Sequence, residues 1–185
     1  MPTYTRTASA FQVASKTGSG TNWTSEGNIL ADDGSVATSA GGTQYLVASS
    51  PNVNWLVGPP AGGETATGSP TLADLTVTVE TSSVSTGTGT MELYQNGSLV
   101  TTKTYSLISG SQTQTWSGDA TYWGLTLTDI FSLDAISVQF RCGFSGARTC
   151  DYIAASFSIS QEYTSGGGES ARRRAVFVAK NNPDN

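Results

Sequence analysis

The chain has 185 residues, of which 37% are apolar and only 12% charged, and its net charge is −5. That length suits one domain with a sizeable core. The acidic balance disfavours nucleic acid, whose phosphates need clustered Lys and Arg, and no run approaches the ~20 apolar residues of a membrane span.

Thr and Ser number 27 and 25, and 21 Gly punctuate short apolar runs. Branched Thr fits a pleated surface, so the composition reads as all-β. Residues 1–20 alternate weakly (Tyr4, Ala8, Ala10, Phe11, Val13) and predict a leading strand or an N-terminal arm. Met1 to Arg6 shows no basic start followed by an apolar core, so no signal peptide is expected. Residues 21–34 predict a structured loop anchored by Trp23 and closed by the turn signal Asp32-Asp33-Gly34. Strands are expected at 35–39 and 44–49, joined through Gly41-Gly42 as a hairpin.

Residues 50–71 form a long Gly/Pro-rich loop around the apolar island Trp55-Leu56-Val57, and a loop of that length usually serves contact. Leu72–Thr81 alternates with period two. Strands 90–94 and 99–107 flank Asn96-Gly97, a strong hairpin signal. A strand is expected at 112–116, one helical turn at 128–133, and closing strands at 135–142 and 151–162. About eight antiparallel strands predict a jelly-roll-like β-sandwich over residues 21–163. Residues 164–185 then read as a Gly166-Gly167-Gly168 linker and a C-terminal arm. Residues 1–163 carry 5 basic and 12 acidic side chains, whereas 164–185 carry 4 and 2. Arg172, Arg173 and Arg174 precede the β-prone run Ala175-Val176-Phe177-Val178-Ala179, which is suited to strand addition on an acidic protein partner.

Catalytic sets are hard to assemble. The chain has no His, which excludes Ser–His chemistry, and its three Lys lie in no recognisable motif. Asp32, Asp33, Glu80, Asp119, Asp129, Asp134 and Asp151 could supply a glycosidase pair, but turn and capping work accounts for several of them. Asn28, Asp32, Asp33 and Gly34 offer oxygens of the kind Ca²⁺ takes, without the spacing of an EF-hand; an Asx-turn serves them as well. No enzyme activity, metal or cofactor is expected. Cys142 and Cys150 admit a cross-strand disulfide closing a hairpin, or two thiols facing the core.

Two motifs carry a resemblance. Trp23 is followed by Asn28-Ile29-Leu30-Ala31-Asp32-Asp33-Gly34-Ser35-Val36-Ala37-Thr38, and Tyr122-Trp123-Gly124 precedes a strand bearing Asp151-Tyr152-Ile153. In that order, over residues 20–162, they resemble a β-sandwich module of tailed-bacteriophage structural proteins. The loop at 50–71 departs from its pattern, replacing a compact Phe-x-Ile-Pro approach with a longer Gly/Pro insertion. The resemblance implies a virion component, either capsid decoration or a tail or baseplate part, assembled in the host cytoplasm. Its implied partners are other capsid or tail proteins and further copies of itself, a trimer among the forms expected. Trp23 and Trp123 match the module's positions and read as structural. Trp55 is the expected exposed contact, with Arg172–Arg174 and Val176–Val178 the expected tail contacts. The alternative function is a carbohydrate-binding module for host glycan, with Trp55 as its stacking ring.

Overall fold

A computed structural model describes residues 3–8, 11, 13–18, 23–41, 44–49, 64–142 and 145–164. The strands are β1 (Thr3–Ala8), β2 (Val13–Thr17), β3 (Ala37–Gly41), β4 (Tyr45–Ser49), β5 (Thr65–Ala66), β6 (Thr71–Ser83), β7 (Gly87–Gln95), β8 (Ser98–Leu107), β9 (Gly110–Gly118), β10 (Ile136–Cys142) and β11 (Ser145–Thr164). All pair antiparallel in two sheets. Sheet A has the order β1-β11-β6-β9, with β3 and β5 also on β11; sheet B has the order β2-β4-β10-β7-β8.

Without β1, β2 and β5, the orders become β3-β11-β6-β9 and β4-β10-β7-β8. The chain changes sheet at every step except the β7–β8 hairpin and closes an eight-stranded jelly roll. Residues 3–8 and 13–17 are strands of this body, one on β11 and one on β4, rather than an arm. The period-two pattern explains the core. Leu75, Val77 and Val79 of β6 are buried with Ile136, Val138 and Phe140 of β10 and Ile153, Phe157 and Ile159 of β11. Their neighbours on each strand face outward, as pleating requires.

Two local expectations are corrected. Gly41-Gly42 does not turn a hairpin, because β3 pairs with β11 and β4 with β10 and β2, in opposite sheets. The two cysteines belong to strands of opposite sheets. Cys142 on β10 lies opposite Gly89 in sheet B, whereas Cys150 on β11 lies opposite Ala37 and Thr81 in sheet A. Cys150 is buried in the core; the side chain of Cys142 lies outside the described residues. The helical turn falls at α1 (Ala120–Trp123), not at 128–133. Asp119 caps α1 by accepting the Tyr122 N–H at 2.9 Å, and Gly124 ends it at φ 69°. Only glycine adopts that left-handed angle without strain. Residues 128–133 instead make a turn in which Asp129 accepts the Phe131 N–H at 2.7 Å and the Ser132 hydroxyl accepts the Thr128 N–H at 2.8 Å.

Asn96 and Gly97 both have positive φ, 52° and 76°, the signature of the primed hairpin turn between β7 and β8. The two motif tryptophans are fold anchors. Trp23 is buried and spans Gln44, donating its ring N–H to the backbone carbonyl at 3.0 Å and its backbone N–H to the side-chain oxygen at 3.1 Å. Trp123 is fully buried and donates its ring N–H to the Leu75 carbonyl at 2.7 Å. A buried indole N–H needs such a partner.

Candidate functional site

The side chains expected to make contacts, Trp55 and Arg172, Arg173, Arg174, Val176, Phe177 and Val178, lie outside the described residues. Among those described, the outward side chains form two distinct surfaces.

The first is the outer face of sheet B. Tyr45 (β4), Arg141 and Gln139 (β10), and Glu92 and Tyr94 (β7) all point outward on three adjacent strands, and each is half-buried. Glu92 sits opposite Gln139 on one side and Thr102 of β8 on the other. Its two oxygens accept the hydroxyls of Tyr45 at 3.0 Å and Tyr94 at 2.9 Å. Because β10 separates β4 from β7, Tyr45 and Glu92 rise from strands about 10 Å apart. A ring standing upright from β4 could not close that distance, so Tyr45 lies along the sheet. The Arg141 guanidinium carbon is 4.9 Å from its ring centroid, a cation–π contact. The Arg141 Nε is buried and has no hydrogen-bond partner. Burial, then the hydrogen bond to Glu92 and its negative charge, holds both phenols above the usual tyrosine pKa. Each therefore stays a neutral donor to the carboxylate. Sequence patterning marks these residues only as the polar face of three strands; their convergence depends on strand order.

The second surface is acidic. Asp32, Glu80 and Asp151 bring carboxylate oxygens within 4.8 Å of one another. Three unrelated segments contribute. Asp32 follows a 3-10 turn (Glu26–Leu30) pinned by buried Ile29, and Glu80 is an outward residue of β6. Asp151 occupies a bulge: β11 pairs Cys150 with Thr81 and Tyr152 with Glu80, which leaves Asp151 as the extra residue. Bulges re-aim a side chain in this way. Asp151 Oδ1 is buried without a hydrogen-bond partner. Burial pushes its carboxyl above the usual aspartate pKa, as do the charges of Asp32 and Asp33, while the Gly34 N–H opposes them.

Of the oxygens expected for Ca²⁺, only Asp32 joins this cluster. Asp33 accepts the Ser35 N–H at 2.8 Å in an Asx-turn, and the Asn28 amide donates to the Val36 carbonyl at 3.2 Å. Three carboxylates are hard ligands but fall short of the six to eight oxygens Ca²⁺ takes. Asp119 and Asp129 do the capping and turn work described above. Asp74, on the outer face of β6, accepts the Ser117 and Thr76 hydroxyls, which hold its carboxyl below the usual range.

Between the edges of the two sheets, Lys103 of β8 places its ammonium 3.8 Å from the Tyr122 ring centroid. The same ring packs so closely on Gly118 that a Cβ there would lie 2.4 Å from it. Lys103, Tyr122 and Gly118 thus close the edge by stacking, and Trp116 meets Tyr105 edge-on at 5.6 Å. No helix of the described residues is long and apolar enough to cross a membrane.

No protein-family model matches the chain, and no curated protein sequence matches it. It is similar to a solved structure described as "CBM4 structure and function", at 11% identity and a TM-score of 0.36; the alignment covers 61% of this chain and 70% of that one.

Proposed function

We propose that this chain is a non-enzymatic building block of a bacteriophage virion, a capsid-decoration, tail or baseplate protein that works through protein–protein contacts. One observation carries the reading. The motif residues that resemble the phage module serve as fold anchors, with Trp23 clamped on Gln44, Trp123 bonded to Leu75 and Gly124 capping α1. A module recognised by its framework residues keeps its contacts elsewhere, on loops and arms that can vary without cost to the core. The long loop at 50–71 and the basic, β-prone run 172–179 supply such elements in sequence. The body's 12 acidic against 5 basic side chains suit docking of a neighbour's Arg172–Arg174.

The test is assembly. Mass spectrometry of purified particles should find the chain in stoichiometric amount. A chain lacking residues 166–185 should fold with an unchanged melting temperature yet drop out of particles or of the native oligomer. Normal incorporation of the truncated chain would refute the role of the tail, and absence of the full chain from particles would refute the reading itself.

A further inference from the structure

We propose that the outer face of sheet B is a binding site for a neutral saccharide, with the Tyr45 ring as its stacking platform and Gln139, Glu92 and Tyr94 as its polar rim. This goes beyond the virion reading, since it names a ligand for a surface that reading leaves unused. Four observations carry it.

The first is posture. Tyr45 spans β10 to reach Glu92 at 3.0 Å, and the guanidinium over its ring shows that stacking takes place on a ring face. The pyranose C–H face stacks on such a ring, and aromatic side chains with a few fixed polar groups are the usual lining of small-ligand sites. The second is order. Both Glu92 oxygens are tied to tyrosine hydroxyls, so the platform is set before a ligand arrives and little rotamer freedom is lost on binding.

The third is the side on which the ligand must sit. The Arg141 guanidinium carbon lies 4.9 Å from the Tyr45 ring centroid and its Nε is buried, so the arginine takes one side of the ring and a ligand must take the other. The fourth is charge and polarity. One carboxylate and one guanidinium balance, and the neighbouring outward positions are Ser15, Thr17, Ser137, Thr102 and Thr104, with Val47 beside Tyr45 and the exposed Val13 and Leu99 farther out. A surface of hydroxyls, an amide and balanced charge matches a polyhydroxylated neutral ligand. It does not offer the cationic cluster a polyanion needs, and its few apolar side chains, Val47 among them, lie singly among polar ones.

The test uses the full chain on a printed array of neutral and acidic oligosaccharides, followed by titration calorimetry with the neutral oligosaccharides retained. The wild type should retain neutral saccharides. Tyr45→Ala should weaken binding at least tenfold. Tyr45→Phe, which keeps the ring but not the bond to Glu92, should weaken it severalfold, and Gln139→Ala likewise. Asp74→Ala, on the outer face of sheet A, should bind as wild type does. Tyr45→Phe and Gln139→Ala keep the test decisive if Tyr45→Ala does not fold. The inference is overturned if the wild type retains no saccharide, if it retains only acidic ones, or if the folded Tyr45 variants bind unchanged. Loss of binding in Trp55→Ala alone would move the site to the 50–71 loop and also overturn it. None of these outcomes bears on incorporation into particles, which tests the virion reading separately.

Discussion

Replacing Asp151 by Asn should stabilise the protein, although it removes a charge that the β11 bulge holds in a fixed place. Asp151 shares a 4.8 Å cluster with Asp32 and Glu80. Two unit charges at that separation repel by about 1 kcal/mol at the dielectric of water, and by about 3 kcal/mol at an effective dielectric near 20. Asp32 is exposed and is the first of the charges that raise the Asp151 carboxyl, so the lower figure suits it and the repulsion costs about 1 kcal/mol at neutral pH. Asn keeps an oxygen for the Gly34 N–H and adds a donor toward its acidic neighbours. For a domain of this size 1 kcal/mol moves the melting temperature by about 2–4 °C, so the variant should melt higher by that amount.

The sign of the pH dependence follows from the raised pKa of Asp151. Above that folded-state value the carboxylate is ionised in both folded and unfolded chains, and its repulsion is a full cost to the folded one. As pH falls through the folded pKa toward the ordinary aspartate value the cost disappears, and the advantage of the variant should vanish with it. Thermal melts by circular dichroism at pH 7 and pH 3 in low salt, with EDTA present to keep divalent cations from offsetting the repulsion, measure both effects. Raising the salt should shrink the gain at pH 7. A variant that melts at or below the wild-type temperature at pH 7 would refute the argument, because the carboxylate would then be contributing structure rather than repulsion.

Gly89→Ala should cost about 1–3 kcal/mol, the usual cost of overpacking, since its Cβ would lie 2.4 Å from the Tyr105 ring; urea titration reads the loss, and Gly89→Ala with Tyr105→Leu should recover part of it. Gln95→Ala should destabilise by at least about 1–3 kcal/mol. The buried amide donates to the Thr126 and Ser132 carbonyls, both at 2.8 Å, and accepts the Thr126 N–H at 3.2 Å. Hydrogen exchange should report the damage first in residues 124–135. Trp55→Ala should leave the melting temperature nearly unchanged while weakening assembly; a loss of about 3–5 kcal/mol would instead assign that ring to a core.

Much of this architecture is written locally in the chain. Alternation at Leu75, Val77 and Val79 and at Ile136, Val138 and Phe140 sets both strand and buried face, because a strand's side chains alternate by simple pleating. Asn96-Gly97 sets its hairpin because its two positive φ angles are the turn. Trp23 was legible as the anchor of its loop, and both Trp23 and Trp123 are buried. What failed was whatever depended on which strand lies beside which. Gly41-Gly42 looks like a hairpin, yet β3 and β4 on either side of it belong to opposite sheets. A turn signal specifies a reversal of direction but not whether the returning strand pairs with its predecessor or crosses the core. The surfaces share that dependence. Tyr45 and Glu92 are 47 positions apart and meet because β10 inserts between β4 and β7. Asp32, Glu80 and Asp151 meet because a bulge in β11 turns one carboxylate toward two others. Short-range chemistry determined the strands; long-range strand order, settled only when the two sheets close on a common core, determined which polar side chains became neighbours.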